Sequence, residues 1–136
     1  MENERDRSKV RVVEAWHDAL DAGDAERVVA LSHPDVEVVG PRGRSSGARL
    51  IRDWVDRAGV SIAPLRVFHK ADTVVVEQAA EWRSGESGEV IGSQTVASVF
   101  VVSSGRVASV ARYDDLAEAL DSAELEHSDE ILPEHR

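Results

Sequence analysis

Apolar residues recur along this chain first at helical spacing and then in alternation, and the change of period predicts the fold. Val13, Trp16, His17 and Leu20 lie at i, i+3, i+4, i+7, which predicts an amphipathic helix over 6–22 that Gly23 can end. Asp24 is placed to cap a shorter second helix carrying Val28, Val29 and Leu31, which stops before His33-Pro34 because a residue preceding proline avoids the helical region. Residues 35–40 read as a strand and 41–47, rich in Gly, Ser and Arg, as a loop. Leu50, Ile51, Trp54, Val55 and Ala58 form a third helical stripe, with Ser46 as candidate cap and Gly59 just past the end.

From Ser61 onward the period becomes two. Strands are predicted over 62–69, 73–83, 94–102 and 106–113, joined by turn chemistry at Ala71-Asp72, at 84–88 and at Ser103-Ser104-Gly105. Asp114-Asp115 ends the last strand. Leu116, Ala119, Leu120 and Ala123 return to helical spacing. Helices first and an antiparallel meander afterwards define an α+β domain over 1–125.

Composition narrows the chemistry. The 136 residues include no cysteine, which removes thiolate catalysis, disulfides and Cys-based zinc sites and suits a reducing cytoplasm. Residues 1–9 are charged and hold no apolar core segment, so no signal peptide is read there, and no run reaches membrane-spanning length. The net charge of −10 is concentrated in residues 114–136, with nine acids and a single arginine; the rest of the chain is close to neutral. Residues 126–136 therefore read as an acidic, disordered tail that repels nucleic acid and anionic membrane. Arg42, Arg44, Arg49, Arg52 and Arg57 alternate with Asp53 and Asp56 as a solvated face, without the aromatic ladder of a nucleic-acid groove. His17, His33 and His69 share no metal-ligating spacing, and no cofactor is implied.

Five segments in order are Trp16 to Asp24, Val29 to Glu37, Asp72 to Val76, Gln94 to Val107 and Tyr113 to Leu125. Together they resemble the nuclear transport factor 2-like superfamily, in particular its SnoaL-like members, over residues 10–125. The resemblance implies a curved, mainly antiparallel sheet wrapped as a cone, closed on one side by three N-terminal helices and often paired with a second copy through the other face. It sorts the alternating strand residues. Val74, Val76, Gln78 and Ala80, then Gln94, Val96, Ser98 and Phe100, then Val110, Arg112 and Asp114 are expected to face the pocket, with Trp16 and Trp54 as walls. Val75, Glu77, Ala79, Ala97, Val99 and Val101 are expected outside, as the face of a homodimer.

The chemistries of similar proteins do not transfer residue by residue. Ketosteroid isomerases of this fold hold an oxyanion with a first-helix Tyr and a protonated Asp and use a first-strand Asp as base. The matching positions here are Trp16, Ser98 and Gly40. Cyclases and limonene-epoxide-hydrolase-like members place an essential Asp where this chain has Arg112, which stays protonated and cannot exchange a proton near neutral pH. The first expectation is thus a pocket protein for a small hydrophobic molecule, anion-bearing in one form, held by Arg112 with Gln78, Ser98 and Gln94 as further polar contacts and Val96, Phe100 and Val110 as walls. The second is an enzyme of the cyclase, isomerase or hydrolase type with Asp114 or His17 as base. The third is a non-catalytic dimeric module whose partner is another protein.

Overall fold

The computed structural model describes residues 2–40, 43–57, 60–84, 87 and 89–131, with the side chains of 2–7, 40, 53–57, 60, 61 and 83 outside the description. The long first helix α1 (Glu2–Asp21) is followed by α2 (Ala25–Ala30), then strands β1 (Ser32–Gly40) and β2 (Gly43–Ser46), and helix α3 (Ala48–Arg57). Four long strands come next, β3 (Val60–Lys70), β4 (Thr73–Arg83), β5 (Val90–Ser103) and β6 (Arg106–Tyr113), then α4 (Leu116–Ala123), a 3-10 turn at His127–Asp129 and a two-residue strand β7 (Glu130–Ile131). The seven strands among the described residues belong to one sheet in the order β2-β1-β6-β5-β4-β3-β7. Every pairing is antiparallel except that of β1 with β6. This is the expected α+β architecture with a curved, mainly antiparallel sheet.

Local chemistry accounts for the boundaries. Gly23 takes φ +72°, in the left-handed region, and α1 ends there. Asp24 caps α2 by accepting from the Arg27 amide at 3.2 Å, and Asp115 caps α4 by accepting from Glu118 at 2.8 Å. The turn between β5 and β6 has positive φ at both Ser104 (+54°) and Gly105 (+77°), the backbone of a tight hairpin whose twist matches the strands.

Alternation on β4 splits the interior into two cores. Val74 and Val76 face inward with Val13, Trp16, Leu20, Val36, Ile51, Phe100 and Val110, whereas Val75 faces outward with Phe68, Ala97, Val99, Ala119, Leu120 and Leu125. Val75, Ala97 and Val99 were expected to need a second copy as cover. Helix α4 covers them within the same chain, because its own apolar stripe lies on the outer face of β4, β5 and β6.

Three expectations change. Residues 43–46 are not loop: they pair with β1 in a hairpin, Glu37 opposite Ser46 through Gly40 opposite Gly43. Ser46 is spent in that strand, so α3 starts at Ala48 without it as the helix cap. The expected disordered tail is ordered through Ile131. Strand β7 pairs with Val67 and Phe68, Ile131 packs on the inner core, and Arg66 donates to Glu130 in a two-bond fork at 3.1 and 2.8 Å. The Arg66 guanidinium lies over the Phe68 ring at 5.2 Å, and its bonds hold the Glu130 carboxyl below the usual carboxylate range. Residues 132–136 lie outside the described residues. In an Arg66→Met variant the amides of Glu130 and Ile131 are expected to lose hydrogen-exchange protection while the melting temperature barely moves. Unchanged protection would assign the docking to backbone pairing and Ile131 alone.

Candidate functional site

The concave face of the sheet leaves a cavity of about 350 Å³, within the range of small-molecule sites. Its floor is Trp16 from α1 with Phe100 and Val96 from β5 and Val110 from β6; β4 adds Gln78, Ala80 and Trp82. Val38 and Val39 of β1, Leu50 and Ile51 of α3 and Ile62 of β3 complete the apolar walls. Gly43, Ser45 and Arg112 also line it and are exposed, which marks them as the mouth.

Three buried polar side chains cross the inner core beside these walls. His17 is 2% exposed and bonds the Val13 carbonyl through Nδ1 at 2.8 Å. Its Nε2 meets Gln78 Nε2 at 2.8 Å, and the Ser98 hydroxyl donates to Gln78 Oε1 at 2.8 Å. A carbonyl only accepts, so Nδ1 of His17 carries the proton and the neutral ring accepts at Nε2; Gln78 must therefore present its NH₂ to His17 and its oxygen to Ser98. Burial pushes the His17 pKa below its ordinary value, against opposing contributions from the Val13 bond and the nearby Asp18 carboxylate. The ring sits 5.3 Å from Phe100 and 5.8 Å from Trp16, and Trp16 Nε1 donates to Ser32 at 3.1 Å. No buried side-chain nitrogen or oxygen among the described residues lacks a partner.

Of the residues singled out in the sequence, Trp16, Gln78, Val96, Ser98, Phe100, Val110 and Arg112 line the cavity. His17 does not: it lies behind Gln78, one hydrogen bond from the wall. Gln94 pairs with Ala80 but is exposed and outside the lining. Asp114 follows the end of β6, is exposed and makes no ion pair with Arg112 among the described residues. The side chain of Trp54 lies outside the described residues. Trp82 was not foreseen as a wall, although it is the next step in the alternation Gln78, Ala80, Trp82. His33 is not in the lining; its Nε2 donates to the Ser103 carbonyl at 2.7 Å and ties β1 to the end of β5.

Among the described lining residues Arg112 alone is ionisable, and it has no hydrogen-bond or ion-pair partner among the described residues. It stands directly opposite Ser98 in the β5–β6 register, so the polar groups of Arg112, Ser98 and Gln78 share one side of an otherwise apolar space.

A cone-shaped α+β sheet enclosing a pocket defines the nuclear transport factor 2-like class of protein. The SnoaL-like domain family matches residues 13–110, and the chain belongs to that family. No curated protein matches it. Among solved structures it is similar to a limonene-epoxide-hydrolase-like epoxide hydrolase of M. tuberculosis, at 24% identity over 86% of this chain and 90% of that one with a TM-score of 0.71. TerC co-crystallised with polyporic acid gives 21% identity, 87% and 97% coverage and a TM-score of 0.69. A protein of ketosteroid-isomerase-like fold from Catenulispora acidiphila, in complex with trimethylamine, gives 18%, 85% and 93%, and 0.66. At these identities the likeness is one of fold.

Proposed function

We propose that the chain is a small-molecule pocket protein that takes up an apolar ligand and holds its polar or anionic end at Arg112. The observation that carries this reading is Arg112, without a side-chain partner among the described residues, at the mouth of a cavity of about 350 Å³ whose walls are apolar apart from Ser45, Gln78 and Ser98. A permanent cation at the end of an apolar slot favours an amphipathic guest, apolar body inside and oxygen-bearing end at the guanidinium. Binding is favoured over acid–base turnover because none of the described lining residues exchanges a proton near neutral pH, and both sequence candidates for a base, Asp114 and His17, stand outside the lining.

The test uses 2-naphthoate and naphthalene, followed by quenching of tryptophan fluorescence and by calorimetry. Arg112→Met is expected to weaken 2-naphthoate by about tenfold, the value of one partly solvated charge-assisted contact, and to leave naphthalene within twofold. Equal loss for both probes, or for neither, removes Arg112 as the anchor.

A further inference from the structure

The buried chain of hydrogen bonds ends at the cavity wall, and its direction is fixed at the far end by a backbone group. The Val13 carbonyl can only accept, so each link is determined in turn: His17 donates to it, Gln78 donates to His17, and Ser98 donates to Gln78. The Ser98 proton is therefore committed inside the protein, and the hydroxyl offers the cavity lone pairs alone. One Gln78 N–H has no partner among the described residues, and Arg112, also in the lining, is the residue paired with Ser98 in the β5–β6 register. The polar side of the cavity thus combines one acceptor with donors beside it.

Resting on the pocket reading above, we infer that this site selects apolar molecules bearing an un-ionised hydroxyl, a phenol, enol or alcohol, which donates to Ser98 Oγ while its own oxygen accepts from Gln78 or Arg112. An ether, a ketone or a fully ionised oxyanion placed at Ser98 would set lone pair against lone pair; such groups are confined to the Arg112 side. His17 touches no ligand and is a positioning residue: its tautomer fixes the Gln78 amide, which fixes the Ser98 proton. Turning the Gln78 amide over to free that proton would put its oxygen against the unprotonated Nε2, leaving two buried groups without partners. Specificity at the wall is thereby set by a carbonyl two layers behind it.

The experiment compares 2-naphthol with 2-methoxynaphthalene, which differ in the ability to donate, and uses 2-ethylnaphthalene as a control for the added bulk. The wild-type chain is expected to bind 2-naphthol about tenfold more tightly than 2-methoxynaphthalene. In His17→Phe and in Gln78→Leu the Ser98 proton is released, and the hydroxyl-to-ether ratio is expected to fall below about threefold through tighter binding of the ether. A gain for one probe is not produced by a damaged fold, and circular dichroism of each variant accompanies the titrations. Equal wild-type affinities for 2-naphthol and 2-methoxynaphthalene overturn the inference, as does an unchanged ratio in a folded variant. If either variant fails to fold the other decides, and the wild-type ratio decides if both do. Failure of all three probes to bind the wild-type chain overturns the pocket reading itself.

Discussion

Replacing Phe100 by alanine is expected to destabilise the chain by about 3–5 kcal/mol, at the upper end for a core truncation. The ring is fully buried and lies edge-on to Trp16 at a centroid distance of 5.3 Å, with His17 at 5.3 Å on another side. Its removal costs the transfer of the ring out of water, the aromatic contacts and the space left behind, since α1 and β5 are held apart by neighbours that do not collapse. That space would open into the existing cavity, so the same change is expected to loosen the binding of naphthalene-sized guests as well as the fold. The melting temperature should fall by roughly 10 °C or more. Leu65→Ala, at a side chain 54% exposed, is the comparison and should cost about 0.5 kcal/mol or less. Urea denaturation of the two variants checks both values; a Phe100→Ala cost near that of Leu65→Ala would show that the inner core is not close-packed around this ring.

The second large effect is acid lability with a defined onset. The folded chain keeps His17 neutral by burial, so its folded pKa lies below the unfolded one. Above about pH 6.5 both states hold the ring unprotonated and the residue contributes no pH dependence. As the pH falls through that value the unfolded state takes up a proton that the folded state refuses, and stability is lost, by up to about 1.4 kcal/mol per pH unit, until the depressed folded pKa is reached. Glu130 acts in a separate window: its folded pKa is lowered by Arg66, so its contribution is present at neutral pH and is lost only as pH falls below the ordinary carboxylate value. Stability measured from pH 7.5 to 5 should therefore slope in the wild type and be flatter in His17→Gln. An identical slope in the variant would assign the lability to other groups.

Most of the fold is written in periodicity. Helical spacing at Val13, Trp16 and Leu20 and alternation through Val74, Val76 and Gln78 depend on local geometry that every helix and strand shares, and the structure follows them. Strand β2 has no such signal: Gly43, Arg44, Ser45 and Ser46 are all exposed, and they form a strand because β1 offers a partner. Alternation also placed Ser98 and Arg112 on the inner face, but it has no means of knowing where a cone opens, and so it carried Gln94 and Asp114 too far. The link from His17 to Gln78 spans 61 residues and that from Gln78 to Ser98 spans 20, and choice of partner among buried polar groups is a tertiary matter. At the C-terminal end, the density of acids concealed one glutamate with an arginine waiting for it on β3.

The two margins of the sheet bear on how this chain behaves when concentrated. A long sheet with a free margin is a template for further strands from other molecules. One margin here is β2, four polar or glycine residues held to β1 in part by Arg44 and Glu37 at 3.3 Å. The other is β3, eleven residues long, of which β7 covers only Val67 and Phe68. On the uncovered part Pro64 has no amide hydrogen to offer, and the register slips between Pro64 and Arg66, so an incoming strand finds a missing donor and a kink side by side. A curved sheet that must stay open enough to admit a guest thus carries, on both margins, chemistry that discourages its stacking into fibres.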